Sequence, residues 1–455
     1  MTVRPTLYRA AWVLPVSAPP LAHAGVLVDG DGRIAAVGPA ADLPTGDAID
    51  TVDLGAALLL PGLVNVHVHA ELAAFRGLLE DLPFHAWIPS IRRLKQACQP
   101  TPGELLAASL WTCAESLAAG ITCFGATEDS AAAVHALRHA GMRGVVYREA
   151  FGPDPERADA SAQELAGRVA ELRGLETELV RVGISPHAPY TVSDELYRRL
   201  ATFAAAESLP IAVHAAEAEV EELLVRHGEG PFAAGLRSRG IATPPRARSA
   251  IALLERCSIL ARAPLVIHGI RVDAEDVRAL AAAGASVAHC PVANARLGHG
   301  IAPVLELRAA GVNVALGTDS VASNNRLDLL EEARTAQLLQ RARSESAGAL
   351  PSAELLELAT LAGARALGVA DRCGSLEPGK DADLLAVRID GVTAQPRHDP
   401  LATLFHACRG SDVCLTAVRG RVLYRDGRFA TLDISALERD VQRFGTRLHA
   451  AVERP

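Results

Sequence analysis

Eight short apolar segments alternate with longer helical segments between about residue 56 and residue 370. A short apolar segment bounded by Gly or Pro is typical of a buried strand, and long Ala/Leu/Glu/Arg-rich segments are typical of helices. Strands are predicted at Leu63–His67, Ile121–Gly125, Gly144–Arg148, Val182–Pro186, Ile211–His214, Leu265–His268, Ser286–Cys290 and Val312–Asp319. Eight strand–helix units in succession predict an α/β fold, the (β/α)8 barrel.

Both chain ends have a different pattern, in which short strands are joined by tight turns. Gly30-Asp-Gly32 separates the apolar segments 24–29 and 33–38, and an Asp-Gly turn between such segments is a strong hairpin signal. The C-terminal part has strand segments at 383–388, 413–418 and 421–424 and ends in a predicted helix at 434–452. We expect residues 1–55 and 371–455 to form one small β-sandwich domain beside a barrel of residues 56–370. The long interruption at 217–260 is expected to form an enlarged region over the barrel mouth.

Histidines and one aspartate follow the predicted barrel strands, where this fold places its functional residues. They lie at or just beyond the ends of strands one, four, five, six and eight: His67, His69, His187, His214, His268 and Asp319. Alternation along a strand puts His67 and His69 on the same face. Three imidazoles (His67, His69 and His214) and the Asp319 carboxylate suit one divalent metal ion, zinc or iron, with an open position for water.

Hydrolysis at such a site needs groups that move protons. Asp319 can act as ligand and base together, and His268 can hold the water or the developing oxyanion. Glu217 follows His214 by three residues and therefore emerges from the same strand end, where it can carry a proton from water to substrate. The next acidic residues, Glu219, Glu221 and Glu222, are predicted to form a solvated helix face.

Composition excludes several other classes of protein. The net charge of -8 comes without a basic stripe, so a nucleic-acid surface is not expected. No apolar stretch reaches membrane-spanning length, and the N-terminal residues lack a secretory signal pattern. The eight cysteines are scattered without Cys-x-x-Cys pairs, as in a protein with reduced thiols. We expect a cytoplasmic protein with a small-molecule substrate, and a homodimer is the candidate assembly.

Five motifs together resemble the amidohydrolase superfamily, in its branch of metal-dependent deaminases and chlorohydrolases. They are Pro61-Gly-Leu-Val-Asn-Val-His-Val-His69, Ser185-Pro-His-Ala-Pro-Tyr-Thr191, His214-Ala-Ala-Glu217, Leu316-Gly-Thr-Asp-Ser320 and Pro378-Gly-Lys-Asp-Ala-Asp-Leu384. The resemblance implies one metal ion and hydrolytic attack at an aromatic or amide carbon, often with release of ammonia. It implies that His67, His69, His214 and Asp319 bind the metal, and that Glu217, His268 and Asp319 move protons.

Two subfamilies of this branch compete. The segments 76–87 and 141–148 resemble methylthioadenosine/S-adenosylhomocysteine deaminases, and that resemblance implies that Arg148 and His187 face the distal end of the substrate. His69-Ala-Glu-Leu72, Gly228-Glu-Gly-Pro-Phe232 and Cys290-Pro-Val-Ala-Asn294 look more like aminodeoxyfutalosine deaminases. The segment 91–96 lacks the ribose-binding acid of the adenosyl-type enzymes. Arg92 and Arg93 there suit a substrate carboxylate, or are exposed helix charges.

The resulting prediction is a hydrolytic deaminase of an amino-substituted purine nucleoside or related heterocycle. Aminodeoxyfutalosine is the candidate substrate, and a methylthioadenosine/S-adenosylhomocysteine deaminase is an alternative. Trp87 is expected to stack on a flat ring or to pack in the core, and Glu71 to touch the substrate or to serve the structure. One alternative keeps the machinery but cleaves another C–N or a C–Cl bond. A second alternative is a scaffold protein without metal, since a fold does not fix a function; the intact donor set argues against it.

Overall fold

The computed structural model describes residues 4–452. Within them, some strands form a barrel, and the others form one sheet built from both chain ends, which we call the end sheet. In chain order the strands are β1 (Thr6–Val13), β2 (Leu21–Val28), β3 (Ile34–Pro39), β4 (Asp50–Asp53), β5 (Ala57–Pro61), β6 (Leu63–Val68), β7 (Ile121–Glu128), β8 (Arg143–Ala150), β9 (Val180–Pro186), β10 (Ala212–Ala215), β11 (Leu265–His268), β12 (Ser286–His289), β13 (Asn313–Leu316), β14 (Leu384–Arg388), β15 (Val413–Val418), β16 (Arg421–Arg425) and β17 (Arg428–Phe429).

Helices connect the barrel strands, and several of them begin at a side chain that caps the first turn. The Thr101 hydroxyl accepts a hydrogen bond from the Glu104 N–H, and the Glu104 carboxylate accepts one from the Thr101 N–H. This capping box begins α2. In chain order the helices are α1 (Phe84–Cys98), α2 (Pro102–Ala118), α3 (Ala132–Ala140), α4 (Ala158–Arg173), α5 (Asp194–Glu207), α6 (Glu219–His227), α7 (Gly230–Arg237), α8 (Ala250–Arg256), α9 (Ala274–Ala282), α10 (Pro291–Arg296), α11 (Val304–Ala309), α12 (Leu329–Ser344), α13 (Ser352–Ala359), α14 (Leu361–Ala366), α15 (Pro400–Ala402) and α16 (Ile434–Val452).

The eight strands β6 to β13 form the barrel, and the predicted (β/α)8 architecture is confirmed. They lie in chain order as two parallel sheets, β6 to β9 and β10 to β13. A parallel bridge between Ile184 and Ile211 joins the sheets at one seam. At the other seam the N–H groups of Thr318 and Asp319 donate to the His67 carbonyl at 3.2 and 3.0 Å. The predicted eighth strand is too long, because the chain leaves β13 after Leu316 and Asp319 lies in a left-handed turn with φ 57°.

A single glycine separates the end sheet from the barrel. β5 ends at Pro61 and β6 begins at Leu63, so the chain passes between the two sheets at Gly62. A Cβ at Gly62 would lie 2.0 Å from the Thr122 Oγ1 on β7, so no larger residue fits this close approach. The Pro-Gly break in the apolar sequence is therefore the point where the chain changes sheets.

Both chain ends contribute strands to one mixed sheet beside the barrel, where the sequence predicts a small β-sandwich domain. Its strand order is β17-β16-β15-β14-β5-β1-β2-β3, with β4 paired to β1. The predicted hairpins form, β2 with β3 and β15 with β16. Since β5 pairs with β14 in this sheet, the sheet continues to Pro61, six residues past the domain limit expected at residue 55.

The end sheet is fixed to the barrel through a buried ionic cluster. Arg143 at the start of β8 is buried, and its Nε and Nη2 donate to Asp383 Oδ2 and Asp381 Oδ2, each at 2.8 Å. Arg372 donates to Asp381 as well, and the Arg419 N–H donates to Asp383 at 2.8 Å. Because its charges are paired, this cluster holds the two parts of the chain in one orientation.

Three sets of helices surround the barrel mouth. α6, α7 and α8 occupy the region 217–260, where the sequence predicted an enlarged insertion. α16 returns from the end sheet to the barrel, where Phe444 packs edge-on to Phe75 with ring centroids 6.3 Å apart. Arg447 on the same helix donates to the Cys98 carbonyl at the end of α1.

Among the described residues, none of the helices combines the length and the apolar character needed to cross a membrane.

Candidate metal centre and active site

The predicted donor residues converge at the carboxyl ends of the barrel strands. Nε2 of His67 lies 3.2 Å from Oδ1 of Asp319, and Nε2 of His69 lies 3.6 Å from the same oxygen. The His214 ring lies 4.9 Å from the His67 ring, centroid to centroid. One donor atom from each of His67, His69 and Asp319 lies within 4.8 Å of the others, and the same holds for His67, His214 and His268. Nitrogen and oxygen donors in this number fit zinc or iron.

Hydrogen bonds to the outer atoms orient these donors towards one point. Nδ1 of His69 lies 3.4 Å from the Thr127 hydroxyl, and Nδ1 of His214 lies 3.2 Å from the His187 carbonyl. Asp319 Oδ2 accepts from the Ser323 hydroxyl at 2.7 Å. Such outer contacts leave the inner nitrogen or oxygen for a metal ion. Nδ1 of His67 is buried without a partner among the described residues.

Burial sets the protonation of the cluster. It lowers the pKa of His69 to about 3, and it lowers the pKa values of His67 and His214 as well. Burial alone would raise the pKa of Asp319, but the adjacent His67 and His69 bring it below its ordinary value. Near neutral pH the cluster therefore presents neutral imidazoles and a carboxylate, the forms that bind metals.

The backbone at the barrel mouth is strained where functional side chains emerge. Ala216, His268 and Asp319 have φ values of 55°, 77° and 57°, in the left-handed region that residues other than glycine rarely adopt. Each lies at or just past the end of a barrel strand. Strain of this kind persists only where the surroundings fix the backbone, and it is common at active sites.

Glu217 lies next to this cluster and is fully enclosed. Its Oε1 lies 3.3 Å from His268 Nε2 and 3.4 Å from His299 Nε2, and its Oε2 lies 3.4 Å from the Tyr190 hydroxyl. Burial alone would raise the pKa of Glu217, but His268 and His299 together lower it below the ordinary value. His268 is oriented by Asn294, whose Oδ1 lies 2.9 Å from Nδ1. The carboxylate is thus placed to exchange protons near the donor cluster.

Glu221 corrects the prediction of a solvated face on α6. Its carboxylate is buried and accepts the N–H groups of Ala216 and Glu217, at 2.9 and 2.8 Å. It therefore fixes the strained turn that carries Glu217. Glu219 is exposed and Glu222 is half-buried, so the prediction fails chiefly at the position that faces back to the strand end.

The predicted substrate-binding residues lie around the cluster in different surroundings. Nε2 of His187 lies 3.9 Å from Glu149 Oε1, and its ring centroid lies 4.9 Å from that of His214. Arg148 is buried, and its Nε and Nη1 have no partner among the described residues. Trp87 is buried and stacks on Phe84 with ring centroids 6.3 Å apart.

Glu71 is buried and paired with Lys95 of α1, a residue the sequence interpretation did not single out. Nζ of Lys95 also lies 3.4 Å from Asp129 Oδ1, and the Glu71 N–H donates to Glu128 at 3.0 Å. Arg92 and Arg93 on the same helix are exposed. The basic residue of this segment that faces the barrel mouth is Lys95.

Aromatic rings close the mouth above Glu217. Tyr190 stacks on Phe232 with ring centroids 4.4 Å apart, and Phe84 meets His299 edge-on at 4.6 Å. The sequence interpretation missed Tyr190, His299 and Glu149 as site residues. Tyr190 and Glu149 follow predicted strands closely enough for the strand-end rule to find them. His299 lies in a loop between two short helices and carries no such signal.

The barrel and its donor set define a metal-dependent hydrolase that acts on C–N bonds. The chain belongs to the amidohydrolase family, whose family model matches residues 58–423. It is 36% identical over 416 residues to the 5-methylthioadenosine/S-adenosylhomocysteine deaminase of Syntrophobacter fumaroxidans, with 89% of each chain covered. It is 33% identical over 420 residues to the 5'-deoxyadenosine deaminase of Methanothermobacter thermautotrophicus, covering 90% and 91%. A zinc-bound adenosine deaminase structure from Xanthomonas campestris shares the fold with a TM-score of 0.86, 31% identity and 98% coverage of both chains.

Proposed function

We propose that this protein is a hydrolytic deaminase of an amino-substituted purine nucleoside or a related aromatic heterocycle. The observation that carries the proposal is the position of Glu217. Its enclosed carboxylate lies between the histidine–aspartate cluster and the aromatic rings of Tyr190, Phe232 and Phe84, which we call the aromatic wall. A proton-transfer group between a metal site and flat apolar rings suits the addition of water to an aromatic carbon. Relatives named as deaminases of adenosine derivatives support this substrate class.

We propose further that His67, His69, His214 and Asp319 bind one divalent cation, with zinc preferred and iron as the alternative. The donor atoms fit: neutral imidazoles and a carboxylate converge, and hydrogen bonds to the outer atoms of His69, His214 and Asp319 leave their inner atoms for a cation. When bound, the cation supplies a nucleophile from water near neutral pH. The zinc in the Xanthomonas campestris structure supports the choice of metal.

The residues around the cation divide the remaining chemistry. Glu217 takes one proton from the attacking water and passes it to the ring nitrogen beside the amine-bearing carbon. Asp319 takes the second proton of that water and passes it to the amine, so that the C–N bond breaks and ammonia leaves. His268, oriented by Asn294, stabilises the negative charge that develops on oxygen. One water is consumed and one ammonia is released, which leaves a carbonyl group at that carbon.

We assign substrate contacts to Trp87, His187, Arg148 and Glu71. Trp87 and its neighbour Phe84 offer a flat apolar surface for a purine. His187 lies beside the cluster, where it can meet the ring or the ribose. Arg148 and Glu71 each keep a buried polar atom without a partner among the described residues, as expected of groups that await a ligand.

Ammonia release from the zinc-loaded protein tests the proposal. The substrates are adenosine, 5'-deoxyadenosine, 5'-methylthioadenosine, S-adenosylhomocysteine and aminodeoxyfutalosine, with a chlorotriazine and a simple amide for the alternative bond types. We expect at least one nucleoside to be deaminated far faster than by a Glu217→Gln control. Turnover confined to the chlorotriazine or the amide would contradict the proposal and favour the alternative.

We also propose that the protein is cytoplasmic and forms a homodimer. The eight cysteines are buried and unpaired, which supports a reducing compartment. Light scattering on the purified protein decides between monomer and dimer, and fractionation of the source cells decides the compartment.

A further inference from the structure

A second histidine, in the loop between α10 and α11, contacts Glu217. His299 lies between Gly298 and Gly300, whose φ values of 71° and 101° form a tight turn after α10. The side chain is buried, and its Nε2 lies 3.4 Å from Glu217 Oε1. The position of His299 is fixed by its N–H, which donates to the Asn294 carbonyl at 2.9 Å. The side chain of the same Asn294 orients His268.

The two oxygens of Glu217 therefore have different surroundings. Oε1 lies between the Nε2 atoms of His268 and His299, at 3.3 and 3.4 Å. Oε2 has the Tyr190 hydroxyl at 3.4 Å. An oxygen between two imidazoles is poorly placed to approach a substrate ring, so Oε2 is the oxygen left for proton transfer.

The ring of His299 packs against an aromatic side chain. Phe84 of α1 meets it edge-on, with centroids 4.6 Å apart and planes at 83°. Its Nε2 makes no well-aligned hydrogen bond among the described residues, although it is buried. At 3.4 Å the contact with Glu217 is long, and catalytic contacts of this kind commonly tighten when substrate binds.

We propose that His299 is a positioning residue for Glu217: it donates from Nε2 to Oε1 and fixes the carboxylate so that Oε2 faces the substrate ring. The inference rests on the proposed function for the meaning of the proton transfer, but the contact itself does not depend on the substrate.

The test compares three substitutions in the zinc-loaded protein: His299→Ala, His299→Gln and His289→Ala. His289 is a matched control because it is as deeply buried, at the end of β12, and no contact between it and Glu217 is found in the described chain. We expect His299→Ala to lower kcat about 10- to 100-fold, the scale of a misplaced catalytic group, with KM changed less than about threefold. His299→Gln should recover part of the loss, because its amide can donate to the same oxygen. Zinc content should stay at the wild-type value in all three.

A second measurement needs no turnover. Crystal structures of the zinc-loaded wild type and His299→Ala should show one Glu217 orientation in the first and a rotated or divided one in the second. An unchanged Glu217 carboxylate in His299→Ala, or equal losses of kcat in His299→Ala and His289→Ala, would overturn the inference. If the wild type deaminates no nucleoside, the proposed function fails, and the crystal structures alone decide the role of His299.

Discussion

Two buried ionic clusters in this molecule contain the same kinds of groups but differ in how fully these are paired. At the joint between barrel and end sheet, Arg143 donates to both Asp381 and Asp383, and neighbouring groups complete the carboxylates. At the barrel mouth, atoms of equal burial lack hydrogen-bond partners among the described residues. They include His67 Nδ1, Glu71 Oε2, Arg148 Nε and Nη1, and Glu149 Oε1.

The difference separates a structural cluster from a functional one. A paired buried cluster stabilises one arrangement of the chain, and removing one partner leaves a buried charge. An unpaired one costs stability unless a ligand completes it, so its persistence points to binding or catalysis. We therefore expect substitutions at the mouth to affect activity more than stability, and substitutions at the joint to do the reverse.

The largest effect is expected from His67→Asn. Loss of this inner donor removes a ligand that no neighbour replaces, so the cation and the nucleophile that depends on it should both be lost. We expect zinc per chain to fall below about a tenth of the wild-type value and deamination to fall at least about 10⁴-fold. Elemental analysis and ammonia release check this, with the exposed His139→Asn as control. A fully metallated, active His67→Asn would contradict the proposed metal centre.

Glu217→Gln should separate metal binding from proton transfer. The amide keeps the shape of the carboxylate but cannot carry the proton, so kcat should fall about 10²- to 10⁴-fold while zinc content is unchanged. Steady-state kinetics on the substrate that the wild type prefers give the measurement. Retention of more than about half the wild-type kcat would remove Glu217 from the proposed mechanism.

Arg143→Met tests whether the paired cluster between the barrel and the end sheet stabilises the fold. It leaves Asp381 and Asp383 buried without their main cation, so the free energy of unfolding should fall by about 3–5 kcal/mol. The matched control is Arg388→Met, which breaks an exposed pair with Asp426 and should cost about 0–1 kcal/mol. Denaturant unfolding measures both. The kcat of folded Arg143→Met should stay within about threefold of wild type, and equal stability losses in the two variants would contradict the distinction.

The sequence predicts the metal-facing half of the mouth because its signal is local. A histidine or an aspartate that follows an apolar strand is carried to the barrel mouth wherever its partners lie in the chain, so His67, His214 and Asp319 could be found one strand at a time. The end sheet was predictable for a similar reason, since its hairpins carry turn signals between apolar segments.

The rest depends on contacts between distant segments. Arg143 and Asp383 are 240 residues apart, and nothing local marks either as a buried partner. Glu221 has a helix-face pattern, but the turn at Ala216 brings its carboxylate back onto the strand end. His299 gains its contact with Glu217 only through a turn between two glycines. Such positions are set by tertiary packing and not by spacing along the chain.

The smallest expected effect is a dependence of stability on pH that comes from Glu149, one of the unpaired groups at the barrel mouth. Burial raises the pKa of Glu149 to about 8, so the folded carboxyl keeps its proton at pH values where the unfolded chain has lost it. The unfolded chain then binds fewer protons, and the free energy of unfolding should fall as pH rises from about 5 to about 8. In Glu149→Gln this contribution disappears, so the fall should be smaller by an amount on the order of 2 kcal/mol. Urea unfolding at fixed free zinc measures it, with the exposed Glu164→Gln as control. If the free energy of unfolding has the same pH dependence in wild type and Glu149→Gln, Glu149 is paired in solution. The difference between the barrel mouth and the Arg143 cluster would then depend on the other unpaired atoms alone.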